Sequence, residues 1–165
     1  NFPVNDIYPV LPFFNASGCR IKTENNSLHI KSPERLCSSG TVRTMPFPGF
    51  PTDFQAPAMA MATVAKGITI FIETIFESRY KHVSQLKRMG ADISVEGNVA
   101  VVQGIQRISA ANVYAEDLRG GIALVIAALA AEGESEIFNL RHIDRGYENL
   151  EDNLRRTGAE IKREV

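Results

Sequence analysis

Two stretches of this chain are apolar at almost every position, and each opens on an aspartate. Asp53 is followed by a run of Ala, Met and Val that ends near Gly67, and Asp117 by a run that includes Ile122 to Ala131 and ends near Gly133. Helices that are apolar on most faces are interior elements, so both runs predict buried helices. Each leads into a short strand pattern, Ile68 to Ile72 and Ser135 to Leu140. Val83, Leu86 and Met89 then recur at amphipathic helical spacing, and Tyr147, Leu150 and Leu154 do the same later. Ile93–Val95 and Val99–Val102 flank Glu96-Gly97-Asn98, which predicts a hairpin. Glu24-Asn25-Asn26 is the matching turn earlier in the chain.

These patterns repeat in order. Lys87-Arg88-Met89-Gly90-Ala91-Asp92-Ile93 resembles Arg155-Arg156-Thr157-Gly158-Ala159-Glu160-Ile161, and Asn15-Ala16-Ser17-Gly18-Cys19-Arg20-Ile21 is a weaker copy. In each the glycine ends a helical pattern and a strand begins, which is where a residue with φ > 0 belongs. The unit reads helix, two strands, a third strand, a second helix, and a fourth strand. About two complete units and a partial third fit the chain, with no linker between them. Pro9 and Pro12 fall where the first copy should open with a helix. The expectation is a helix beginning at Pro12, or an irregular start.

Composition excludes several function classes. The 165 residues are 44% hydrophobic and 22% charged, ordinary for a globular chain. A balance of 18 basic against 19 acidic residues argues against a nucleic-acid partner. No apolar run is long enough to span a bilayer, and neither a membrane nor a secretory signal is expected, which points to the cytoplasm. Two cysteines, Cys19 and Cys37, without a Cys-x-x-Cys pair, read as free thiols. The chain opens Asn1-Phe2-Pro3-Val4 without an initiator Met, and the expectation is a piece of something longer.

The candidate chemistry lies at the helix starts. Thr52, Asp53 and Asp117 each read first as N-caps. Gly120 and Gly121 could let an anionic ligand approach the second buried helix, where free amides attract negative charge. Arg79 and Arg145 fall at matching points of the two copies, between a strand and a helix, and Arg119 begins a helix. Equivalent turns of a repeat share one end of a fold, so Asp53, Arg79, Arg119 and Arg145 could converge. Guanidinium groups pair bidentately with carboxylate and phosphate. His29, His82 and His142 show no metal spacing, and no metal or cofactor is expected.

Beyond these patterns, Arg43-Thr44-Met45-Pro46-Phe47-Pro48-Gly49-Phe50-Pro51-Thr52-Asp53 resembles a signature of the UDP-N-acetylglucosamine enolpyruvyl transferase (1-carboxyvinyltransferase) family. Glu73 to Tyr80, Arg88 to Ile93, Asp117-Leu118-Arg119 and His142 to Tyr147 match in order. The resemblance is strong from about Val42 onward and implies an inside-out α/β barrel, with helices inside and strands outside. It also implies transfer of the enolpyruvyl group of phosphoenolpyruvate to the 3′-hydroxyl of UDP-N-acetylglucosamine, the opening of peptidoglycan precursor synthesis. By motif, Asp53 matches the proposed general base at that hydroxyl, and Ile75 a main-chain contact to the sugar nucleotide. Arg79, Arg119 and Arg145 match the arginines facing phosphoenolpyruvate, and Asp117 the acid that orders them.

The family's Lys-Asn pair and its loop with a reactive cysteine have no counterpart, and neither Cys19 nor Cys37 inherits that role. Residues 1–165 are therefore expected to form one incomplete catalytic lobe, lacking an N-terminal strand and the second lobe, and inactive alone. The alternatives are a non-catalytic nucleotide-sugar binder and a shikimate 3-phosphate enolpyruvyl transferase. RNA-phosphate cyclases share a related architecture, but the neutral charge balance weighs against them.

Overall fold

The computed structural model describes residues 4–24 and 27–164. It follows the repeat. Helices α1 (Val4–Ile7) and α2 (Leu11–Ala16) flank a 3-10 turn at Tyr8–Val10 and lead into a hairpin of β1 (Arg20–Glu24) and β2 (Ser27–Lys31). Next come β3 (Thr41–Arg43), a 3-10 turn at Thr52–Phe54, α3 (Gln55–Ala62), β4 (Ile68–Ile72), α4 (Val83–Arg88), β5 (Asp92–Glu96) and β6 (Val99–Gln103). The last copy is β7 (Asn112–Tyr114), α5 (Leu118–Ala130), β8 (Glu136–Phe138), α6 (Arg141–Asp144) and α7 (Leu150–Arg156). Of the two alternatives at the prolines the irregular start holds, and the helix opens one residue earlier than Pro12, at Leu11. The start is irregular at Pro9, and Pro12 occupies the first turn of α2, where its missing N–H is not needed. Of the predicted turn Glu24-Asn25-Asn26, the two asparagines lie outside the described residues.

The central sheet has the order β3-β4-β6-β5. β3 runs parallel to β4, with Arg43 opposite Ile72, and the β5–β6 hairpin adds antiparallel. Its inner face, Val42, Phe71, Ile93, Ala100 and Val102, is buried. β7 and β8 pair in parallel, with Tyr114 opposite Phe138. This is the register of β3 and β4, but among the described residues no hairpin extends it. The repeat is also visible in the backbone, since Gly18, Gly90 and Gly158 have φ of +90°, +92° and +93° and each follows a helix.

The two apolar helices, α3 and α5, lie inside as predicted. Ala58, Met59, Ala60 and Ala62 of α3 and Ala123, Leu124 and Ala127 of α5 are at most 4% exposed and share one core. Alanine on both helices lets their axes approach closely. α4 adds Val83, Leu86 and the adjoining Met89 from one face. The described strands form three separate sheets and not a closed ring. A cluster of Phe13, Phe14, Phe50 and Phe54, ring centroids 5.6–6.2 Å apart, ties α2 to the turn that carries Asp53. Among the described residues no helix is long and apolar enough to cross a membrane.

Candidate active site at the starts of the two buried helices

α3 and α5 present their N-terminal ends on the same side of the fold. Arg119 Nε donates to Asp53 Oδ1 there, forming an ion pair across two copies of the repeat. Asp117 caps α5 as its residue type predicts, accepting from the Arg119 and Gly120 amides at 2.9 and 2.8 Å. The cap expectation fails for Thr52 and Asp53. The turn they open has no side-chain cap, because the Thr52 hydroxyl donates to Glu73 Oε2 at 2.8 Å and Asp53 turns to Arg119.

The other predicted arginines, Arg145 and Arg79, lie on two different loops. Arg145 is exposed on the turn after α6. That turn abuts the start of α5, since a methyl group at Gly146 would meet Leu118 at 2.9 Å. Tyr147, two residues on, is half-buried. Burial raises its pKa, and the negative charge of Asp53 raises it further against the opposing effect of Arg119. The phenol therefore lies in the field of the Asp53–Arg119 pair. Arg79 is half-buried, its guanidinium 4.2 Å from the centre of the Phe76 ring. It borders an open cleft of about 720 Å³ with Glu73, Ile75, Phe76, Tyr80 and Asn98. Among the described residues neither Arg79 nor Arg145 is paired with a carboxylate, and no ion pair joins Arg79 to Asp53.

The glycine pair serves close packing within the protein. Methyl groups at Gly120 and Gly121 would meet His82 Cβ at 3.0 Å and Ile143 Cγ1 at 2.6 Å. The protein's own side chains therefore approach both glycines closely. His82 is 3% exposed and joins the loop of Arg79 to α5, and burial pushes its pKa down to about 4.

Sequence reasoning missed Glu73. It follows β4 directly and is 3% exposed. Its Oε1 accepts from Thr44 Oγ1 and the Ile75 amide at 2.9 Å and from the Phe76 amide at 3.2 Å, while Thr52 reaches Oε2. Burial alone would raise its pKa, but these donors outweigh it and hold the carboxyl below its ordinary value. The signal was an acid placed at the end of a largely apolar strand, Ile68–Ile72. Cys19 is buried and Cys37 exposed, both free. No group of three metal-ligating side chains occurs among the described residues.

Strands wrapped on two buried helices, with the Asp53–Arg119 pair where those helices start, define an α/β fold built from a repeated unit. The family model described as EPSP synthase (3-phosphoshikimate 1-carboxyvinyltransferase) matches residues 6–154, and the chain belongs to this enolpyruvyl transferase family. It is 46% identical over 163 residues to UDP-N-acetylglucosamine 1-carboxyvinyltransferase 1 of Caldanaerobacter subterraneus, covering 99% of this chain and 39% of that protein. Identity is 49% over 158 residues to the UDP-N-acetylglucosamine 1-carboxyvinyltransferase of Zymomonas mobilis, covering 96% of this chain and 37% of that one. Among solved structures, the enolpyruvyl transferase NikO from Streptomyces tendae superposes with a TM-score of 0.86 at 25% identity, over 96% of this chain and 37% of that chain. The chain thus spans less than two fifths of the length of these relatives.

Proposed function

We propose that these 165 residues are the larger part of one catalytic lobe of a cytoplasmic UDP-N-acetylglucosamine 1-carboxyvinyltransferase, serving peptidoglycan precursor synthesis. The chain supplies one wall of the site, and strands and a second lobe from the rest of the polypeptide close the barrel and complete the cleft. The observation that carries this reading is the Asp53–Arg119 pair on the rim shared by α3 and α5. A base must lie within hydrogen-bond reach of its proton, and Asp53, 69% exposed in its side chain, is open to a substrate hydroxyl. Arg79, Arg119 and Arg145 supply fixed positive charge for the phosphate and carboxylate of phosphoenolpyruvate, the kind of term that dominates such chemistry. Asp117 orders the start of α5 beneath Arg119. Ile75 contributes its carbonyl to the sugar nucleotide, since Glu73 already engages its amide.

The acceptor is UDP-N-acetylglucosamine and not shikimate 3-phosphate, because relatives 46% and 49% identical over nearly all of this chain carry the former in their names. The test is phosphate release from phosphoenolpyruvate by the complete polypeptide that contains this segment, with each acceptor in turn. Turnover should require UDP-N-acetylglucosamine. Asp53→Asn should lower kcat by about 10²–10⁴-fold with unfolding unchanged, and the 165 residues alone should turn over negligibly. Turnover with shikimate 3-phosphate only, or an unimpaired Asp53→Asn, refutes the assignment. Binding without turnover in the complete polypeptide would indicate a non-catalytic nucleotide-sugar binder.

A further inference from the structure

We propose that Glu73 is a positioning residue for this reaction, a buried carboxylate that sets the turn of Asp53 and the main chain at Ile75 in one geometry. The inference rests on the function proposed above.

The first observation is the distribution of donors. They come from three separate segments: Thr44 beyond β3, Thr52 on the turn of Asp53, and the amides of Ile75 and Phe76 on the cleft loop. One anion therefore fixes two candidate site elements against each other. Thr44 adds to this by accepting from the Thr74 amide at 2.9 Å. The backbone of Glu73 is held as well, its amide donating to the Asn98 carbonyl at 2.9 Å and its carbonyl accepting from Asn98 Nδ2 at 3.0 Å.

The second observation is that the other copy of the repeat lacks this clamp. The repeat provides an internal control, because the Thr44 amide donates to Ile72 as the Ala115 amide donates to Phe138, both at 3.0 Å. The strand registers agree, so Ala115 stands where Thr44 stands and Asn139 where Glu73 stands. Ala115 is fully buried and has no hydroxyl to donate. The second copy therefore builds the same strand pair and buried helix without a carboxylate. There the aspartate at the helix start does its own capping. In the first copy Glu73 takes the Thr52 hydroxyl, and Asp53 is left to face Arg119 and the open rim. A buried anion costs desolvation unless every lone pair is well used, so a carboxylate the architecture can omit points to a use other than folding.

The experiment uses the complete polypeptide and measures kcat, KM for each substrate, urea unfolding, and amide exchange at Ile75 and Phe76. Glu73→Gln should speed exchange at both amides by about tenfold or more, since a carboxamide offers one acceptor oxygen where two are filled. It should lower kcat by about 10²-fold, the scale of a misplaced base. Thr52→Val removes only the link to Asp53. It should lower kcat by about tenfold while KM for phosphoenolpyruvate stays within about twofold, and Thr52→Ser should restore kcat. A folded Glu73→Gln with normal kcat and normal exchange overturns the proposal. If Glu73→Gln does not fold, Thr52→Val decides, and equal kcat for Thr52→Val and Thr52→Ser overturns it. A wild type without turnover defeats the functional reading instead, and the clamp then stands or falls on exchange at Ile75 and Phe76.

Discussion

His82 should make this fold lose stability on mild acidification, before its carboxylates titrate. The imidazole is 3% exposed, and its Nε2 has no hydrogen-bond partner among the described residues. Burial pushes its pKa from 6.5 down to about 4, against the opposing charge of Asp117 and a hydrogen bond with the Arg79 backbone. A base whose native pKa is depressed is protonated in the unfolded chain first. Between about pH 6.5 and pH 4 the unfolded state therefore binds a proton the folded state refuses, and stability falls as pH falls through that window. At about 1.36 kcal/mol for each tenfold difference in proton affinity, the whole window is worth about 3 kcal/mol, and the step from about pH 7 to about pH 5 about 2 kcal/mol. At about 2–4 °C per kcal/mol for a domain of this size, the midpoint should drop by about 4–8 °C.

The assay is urea unfolding of the wild type and of His82→Gln, which stays neutral at every pH and keeps a donor for the Arg79 carbonyl. The difference between the two profiles isolates His82 from groups common to both. Glu73, whose pKa is held below 4.5, contributes stability that is present above that value and lost as pH falls through its native pKa. Measurements kept above about pH 5 therefore leave it charged. A difference that changes by less than about 0.5 kcal/mol between pH 7 and 5 would mean that the folded state protonates His82 without penalty, and the argument from burial would fail.

Asp117→Ala should destabilise the chain by about 1 kcal/mol through loss of the α5 cap, whereas Asp117→Asn should keep most of it, because an amide oxygen still accepts from the Arg119 and Gly120 amides; urea midpoints compare the two directly. Gly121→Ala should destabilise by about 1–3 kcal/mol, the clash 2.6 Å from Ile143 Cγ1 exceeding any gain in helix propensity. Calorimetry should find the Gly121→Ala, Ile143→Ala pair less destabilised than the sum of its single changes, because the two sites touch.

The repeat, the buried helices and the hairpins were legible because each rests on local rules: a period of apolar residues, a glycine after a helix, a two-residue turn. The placement of Asp53 and Arg119 at one rim was legible too, since repetition puts equivalent turns on equivalent ends. The cap expectation at Thr52 and Asp53 failed for a different reason. An N-cap preference describes what a side chain does when nothing else competes for it, and the competitor, Glu73, lies far along the chain on another element. The packing role of Gly120 and Gly121 was not legible. A sequence shows that a close approach is possible but not whether a ligand or the protein's own His82 and Ile143 makes it.

Asp53 and Asp117 open the same helix of the same unit, yet they contribute to different things. Asp117 accepts two backbone amides that would otherwise be orphaned at a helix start, so the fold uses it. Asp53 accepts from no amide of its own turn, and its one ion pair leaves its side chain 69% exposed and that of Arg119 33% exposed. A pair so open to water contributes at most about 1 kcal/mol to stability. Folding therefore places few demands on the Asp53 carboxylate, which leaves it available to a substrate. Asp53→Asn should accordingly change urea unfolding by less than about 1 kcal/mol while removing most of the turnover of the complete polypeptide. A large loss of stability in that variant would return Asp53 to the structural role its twin already holds.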